Sequence, residues 1–156
     1  MRHLAPLLAA LALAAPAAAT EYWAVANTLS THSQTECYAC QDGKTNGFNW
    51  GGGIEARFSH QLSAQVGGYR NTYSHGTAYA IGIWQPITDG TASAGFFVGA
   101  ATGYKSDPEC HRNLCPVGGF LLTFADDRYG FNVMIVPAVS KNTTNVFGLQ
   151  LKVRIH

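Results

Sequence analysis

The sequence predicts an all-β protein, an eight-stranded antiparallel transmembrane β-barrel of the outer-membrane type that follows an N-terminal signal peptide. Three observations predict it. Charged residues make up 12 % of the chain, where about 25 % is ordinary. Beyond the leader, no apolar run reaches the length of about 20 residues that a membrane-crossing helix needs. Apolar residues instead recur at alternate positions in one segment after another, which is the period of a strand with one apolar face. The low charge disfavours a water-soluble globule and the short runs disfavour a helical membrane protein, so strands with an apolar surface remain.

The leader is residues 1–19. Arg2 supplies a basic start, "LAPLLAALALAAPAAA" an apolar stretch, and Ala17 and Ala19 a small-residue end, with cleavage expected near Ala19. Residues 20–156 then form one barrel domain. Without Arg2 the basic and acidic residues balance at nine each, so no nucleic-acid footprint is expected.

The clearest strand is the last. In "FGLQLKVRIH", Phe147, Leu149, Leu151, Val153 and Ile155 alternate with Gly148, Gln150, Lys152, Arg154 and His156. "FNWGGGIEARF" repeats the rule, with Phe48, Trp50, Ile54, Ala56 and Phe58 opposite Asn49, Gly51, Gly53, Glu55 and Arg57. "EYWAVANTLSTH" sets Trp23, Val25 and Leu29 against Ala24, Ala26, Thr28, Ser30 and His32, and "TAYAIGIWQPI" sets Tyr79, Ile81, Ile83 and Ile87 against Ala78, Ala80, Gly82 and Trp84. "LSAQVGGYRN", "ASAGFFVGAATG", "VGGFLLTFA" and "YGFNVMIVP" complete eight segments, each near the ten residues of a tilted membrane strand.

Connections alternate in length. Short turns are expected at 59–61, 88–90 and 126–128, and longer or polar loops at 31–46, 72–77, 104–116 and 138–145. Outer-membrane barrels have this rhythm, with tight turns at one end and long loops at the other. A soluble barrel of the lipocalin sort is the alternative, but it would bury its apolar faces and present polar ones outside. Aromatic residues near strand ends, among them Trp23, Trp50, Phe58, Tyr79, Tyr104, Tyr129 and Phe147, suit the interfacial girdles of a membrane barrel.

Every candidate chemical group falls on the long-loop rim. His32 ends the first strand, and "GGYRNTYSHG" places Asn71, Thr72, Ser74 and His75 where the third strand hands over to the fourth. In order and spacing, "WGGGIEARF", "GGYRNTYSHGTAYAIGIWQPI", "GFFVGAATGYK", "LCPVGGFLLTFADDRYGFNVMIVP" and "NVFGLQLKVRIH" resemble the lipid A palmitoyltransferase family of outer-membrane barrels, over residues 46–156 with a looser echo around His32. The resemblance implies transfer of a phospholipid acyl chain to lipid A at the outer leaflet. It also implies membrane lipids, phospholipid and lipopolysaccharide, as partners, no cofactor or metal, a monomer, and the outer membrane of a Gram-negative bacterium as location. The family uses a His near the end of the first strand and an Asp-Ser pair after the third. Here His32 falls at the His, Asn71 at the Asp and Thr72 at the Ser.

Acyl transfer needs a base for the attacking hydroxyl and a partner that orients the base. His32 is the expected base, Asn71 its orienting partner, and Thr72 or Ser74 the hydroxyl nearest the reacting centre. Asn71 cannot balance an imidazolium with negative charge, and Thr72 keeps a hydroxyl beside an added methyl. Ser30, Ser74 and His75 are possible substitutes, and Tyr69 or Tyr73 possible donors to an oxyanion. A plainer reading stays open, in which Asn71, Thr72 and Ser74 are turn formers bonded to nearby backbone. So does a non-enzymatic barrel whose stapled loops bind a surface partner or serve a structural role.

Two further expectations concern the interior and the cysteines. Small inward residues (Ala24, Ala26, Gly51, Gly53, Ala78, Ala80, Gly82, Gly95, Gly99 and Gly148) could leave a slot for an acyl chain. Alternatively Trp84, Phe97, Met134, Glu55, Arg57, Lys152 and Arg154 fill the lumen as a plug. After export the four cysteines suit two local disulfides, Cys37 with Cys40 and Cys110 with Cys115. A zinc site using the thiols with His111 is the alternative.

Overall fold

The structure, a computed structural model, describes residues 21–33, 45–104, 110, 113–138 and 144–156. The leader, Cys37, Cys40 and His111 lie outside the described residues.

Eight antiparallel strands close into one barrel in chain order, β1 pairing with both β2 and β8. They are β1 (Glu21–His32), β2 (Phe48–Arg57), β3 (Leu62–Arg70), β4 (Gly76–Asp89), β5 (Ala92–Thr102), β6 (Leu114–Ala125), β7 (Tyr129–Val136) and β8 (Val146–Arg154). All eight expected strands are present, including β3, which turns Ser63 and Gln65 inward and Leu62 and Val66 outward. Closure leaves no free sheet edge. The β4–β5 turn falls at Gly90 and Thr91, slightly later than the sequence suggested. The β6–β7 turn is fastened by Asp126, which accepts hydrogen bonds from the backbone N–H of Tyr129 and Arg128, each at 2.7 Å. These bonds hold its carboxyl below the ordinary carboxylate range.

The outer face is apolar. Trp50, Val66, Trp84, Phe96, Val98, Phe120, Phe124, Phe147 and Leu151 are all exposed on it, and rings meet across neighbouring strands, Phe96 with Phe120 and Phe124 with Phe131. β2 and β8 present the faces their alternation indicates, with Glu55 and Lys152 buried and Trp50 and Leu151 exposed.

In β1 and β4 the faces depart from expectation. Trp23 and Val25 point inward, and so do Tyr79, Ile81 and Ile83, whereas Ala26, Ala78, Ala80, Gly82 and Trp84 are exposed outside. Leu29 and Ile87 remain outside as expected. The reason is a register irregularity in each strand, between Asn27 and Leu29 and between Trp84 and Ile87. One extra residue at a bulge exchanges the two faces of everything beyond it.

The lumen is filled in two layers. Toward the loop end, Tyr79, Ile81, Ile83, Phe97, Ala101 and Leu121 form an apolar core, with Tyr69, Tyr104, Val117, Met134 and Val136 packed against it. The inward glycines serve this core. A Cβ on Gly53 or Gly67 would come within 2.8 Å of the Tyr79 hydroxyl oxygen, so these positions give their space to the phenol. Toward the turn end the filling is polar. Lys152 Nζ lies 3.0 and 3.1 Å from the two Glu55 oxygens, and Gln65, Gln150, Asn132, Thr123 and Gln85 continue a hydrogen-bonded chain across the barrel. Such a chain lets buried polar groups satisfy one another. Trp23 packs under the Lys152 ammonium at 4.9 Å and the Arg57 guanidinium at 5.5 Å. Of the two expectations for the interior, the described residues form the plug, with Trp84 outside it.

Candidate functional site

The loop-end rim is built by the end of β1, the approach to β2 and the β3–β4 turn. Ser30 and His32 point toward the inside of the rim because the bulge in β1 resets its alternation. The Ser30 N–H donates to Gly47 O at 2.8 Å, and the Asn46 N–H donates to Thr72 O at 2.9 Å. The segment before β2 is thus tied both to β1 and to the turn. The Asn46 side chain adds a bond to Asn71 O at 3.2 Å.

The turn itself is organised by Asn71, which is 0 % exposed. Its Oδ1 accepts from the N–H groups of Tyr73 (3.0 Å) and His75 (2.9 Å), and its Nδ2 donates to Gly103 O at 2.9 Å. Gly103 has φ +88°, and a Cβ there would meet Gly76 O at 2.5 Å and Thr77 Oγ1 at 2.7 Å. A glycine is therefore required for the carbonyl to face Asn71. Ser74 adopts φ 64°, and its N–H donates to Asn71 O at 2.9 Å. For Asn71 the turn-former reading describes the side-chain contacts, all of them to backbone among the described residues, while Ser74 takes part in the turn through its backbone N–H and left-handed φ.

Thr72 is directed differently. Its Oγ1 stands 3.0 Å from His32 Nε2, although the two residues lie 40 positions apart. Ser30 Oγ approaches the same nitrogen at 3.4 Å and donates to Asn49 Oδ1. Asn49 is buried, and its Nδ2 donates to Arg70 O at 2.9 Å and Asn46 O at 3.4 Å. Among the described residues, the groups drawn to the imidazole are two hydroxyls, Thr72 and Ser30. Asn71, expected as its orienting partner, instead fixes the backbone that carries Thr72. No carboxylate forms an ion pair with His32 among the described residues.

No protein-family model matches the chain, and no curated protein matches it. The resemblance to lipid A palmitoyltransferases rests on the sequence blocks alone.

Around this centre, Tyr69 and Tyr104 share a hydroxyl–hydroxyl bond of 2.7 Å, and Tyr73 meets Tyr104 edge-on at 5.9 Å between ring centres. Tyr69, a candidate oxyanion donor, thus has a partner in Tyr104. Cys110 and Cys115 form a disulfide with Cα atoms 4.4 Å apart, fastening the start of β6. Two of the four thiols are thereby withdrawn from any zinc site. Among the described residues no cluster of three or more His, Cys, Asp or Glu side chains could hold a metal ion.

His32, Asn71, Thr72, Ser74 and Ser30 stand out in the sequence as rim candidates, whereas Asn46 and Asn49 do not. Asn49 read only as a member of the inward face of β2, although a buried Asn one residue inside a strand end is the kind of group that must find partners.

Proposed function

We propose that this protein is an outer-membrane barrel that transfers a phospholipid acyl chain to lipid A, with His32 as the base at its loop-end rim. The carrying observation is the 3.0 Å approach of Thr72 Oγ1 to His32 Nε2, an imidazole and a hydroxyl brought together from different elements. A hydroxyl bonded to one ring nitrogen holds the imidazole in place, and an imidazole held at the rim is what a general base for a lipid hydroxyl requires. The apolar outer face supports the membrane setting, and a signal peptide over residues 1–19 accounts for export. In this reading a lipid hydroxyl loses its proton to His32 as it attacks the donor ester. The carbonyl becomes a tetrahedral oxyanion, which collapses and expels the lysophospholipid alkoxide, and that alkoxide takes the proton back. Because aromatic and aliphatic side chains fill the loop half of the lumen, the acyl chain stays on the lipid side of the wall.

The filled lumen also favours a second reading, a non-enzymatic barrel whose loops bind a surface partner or serve a structural role. Lipid analysis separates the two. The full chain is expressed with its leader in a Gram-negative host, and extracted lipid A and phospholipids are examined by mass spectrometry beside His32→Ala. The expected result is an additional acyl group on lipid A that falls about 10²–10⁴-fold in the variant, the range for loss of a general base. An unchanged lipid profile with the barrel folded in the outer membrane overturns the enzymatic reading and leaves the second.

A further inference from the structure

We infer that Ser30 and Asn49 are positioning residues that fix the neutral His32 ring with its proton on Nε2, so that its proton-accepting nitrogen is Nδ1. Thr72 then holds the ring and is not itself activated by it. The inference rests on the acyl-transfer reading for its catalytic meaning and on hydrogen-bond geometry for its content.

Asn49 decides the direction of the bonds. Its Nδ2 faces two carbonyl oxygens, Arg70 O at 2.9 Å and Asn46 O at 3.4 Å. A carbonyl oxygen only accepts, so the nitrogen of the amide must be the atom that faces them. Oδ1 is thereby turned toward Ser30, and an amide oxygen also only accepts. The single hydroxyl proton of Ser30 is consequently spent on Asn49. Toward His32 Nε2, 3.4 Å away, the Ser30 oxygen has lone pairs alone to offer. That contact is a hydrogen bond only when Nε2 carries the proton. Thr72 Oγ1, at 3.0 Å from the same nitrogen, accepts equally well. One N–H aimed between two acceptors is a common shared geometry.

The other ring nitrogen agrees. His32 Nδ1 is buried and, among the described residues, has no hydrogen-bond partner. The opposite tautomer would enclose an N–H with no acceptor and would set the Ser30 and Nε2 lone pairs against each other. The tautomer with Nε2–H leaves only a bare lone pair at Nδ1. A neutral imidazole has one donor and one acceptor nitrogen, and the bond made by one decides the role of the other. The relay from Asn49 through Ser30 to Nε2 therefore orients the ring. A substrate hydroxyl must displace whatever encloses Nδ1 to reach it, which is why the test reads the tautomer directly as well as through turnover.

The test uses the full mature chain, ¹⁵N-labelled and folded in detergent micelles, with long-range ¹H–¹⁵N spectra of the imidazoles. His32 is assigned by the signals lost in His32→Gln. The expected spectrum at a pH where His32 is neutral shows a protonated Nε2 and an unprotonated Nδ1. Asn49→Ala frees the Ser30 proton to be donated to Nε2 and shifts His32 toward the Nδ1–H form. Ser30→Ala leaves Thr72 as the one hydroxyl at Nε2 and gives a mixture, while Ser30→Thr keeps the wild-type pattern. A wild-type ring protonated on Nδ1, or an Asn49→Ala spectrum unchanged in a barrel with wild-type gel mobility, overturns the inference. The same variants are assayed for acylated lipid A. With acyl transfer present, Ser30→Ala lowers kcat about tenfold, the scale of one hydrogen bond, with KM little changed. With the expected tautomer but no acylated lipid, the positioning relay stands and the acyl-transfer reading fails.

Discussion

Asn71, which the sequence resemblance aligns with an Asp of the palmitoyltransferase pattern, has contacts that supply a reason for the amide. Nδ2 donates to Gly103 O while Oδ1 accepts from Tyr73 and His75. A carboxylate could keep the two acceptor bonds, but it has no proton for the Gly103 carbonyl and would face it oxygen to oxygen. Asn71 is 0 % exposed, so bulk solvent does not reach that contact. Asn71→Asp is expected to destabilise the folded barrel by about 1–3 kcal/mol, the cost of an unsatisfied buried polar group. Urea unfolding from micelles, followed by gel mobility and circular dichroism, measures it. A midpoint equal to wild type would show that the amide donor contributes nothing and would remove the clamp from the account of how Thr72 is held.

At the scale of the strand, packing inside the wall links glycines on one strand to an aromatic ring on another. Gly53 on β2 and Gly67 on β3 are register partners, and the Tyr79 hydroxyl from β4 lies over both. A methyl on either comes within 2.5 Å of a neighbouring carbonyl oxygen and 2.8 Å of the phenol. Gly53→Ala and Gly67→Ala should each cost about 1–3 kcal/mol, as overpacking does. Gly76→Ala, where an added Cβ meets nothing within 4 Å, is the control. Equal unfolding midpoints in all three variants would mean that Tyr79 has room elsewhere. The same wall explains what could be read from sequence. Strand number, order and the faces of β2 and β8 were legible because charges on those strands mark the inside. The faces of β1 and β4 were not, because Tyr79, Ile81 and Ile83 fill an apolar core at the loop end and Trp23 packs under Lys152 and Arg57, so large apolar side chains face inward as well as outward. Hydrophobicity alone cannot tell the two apart, and the bulges at Asn27 and Trp84 carry no signal in composition. His32 and Thr72 were legible as rim residues, whereas their approach depends on the bulge and on Asn46 and Asn49.

For the molecule as a whole, the decisive property is the solvent its outer face is built for. Both a soluble barrel and a membrane barrel bury a core like the one formed by Tyr79, Phe97 and Leu121, so the interior does not distinguish them. The exterior does. Val98 lies near the middle of β5, is 71 % exposed, and has Gly82 and Gly118 as its register partners, so a longer side chain there meets no protein obstacle. In water an Arg at such a site is nearly free of cost and improves solubility. In a bilayer it must reach the interface or deform the membrane, at about 2–4 kcal/mol near the midplane. Val98→Arg, folded into phosphatidylcholine vesicles and titrated with denaturant, is expected to lose stability in that range, while Thr91→Arg at the β4–β5 turn is expected to be close to neutral. Loss at position 98 alone would support a lipid-facing wall. Val98→Arg with wild-type stability, or a wild-type protein that stays folded and monodisperse without detergent, would overturn the membrane setting, and with it the access to phospholipid and lipid A on which His32 chemistry depends.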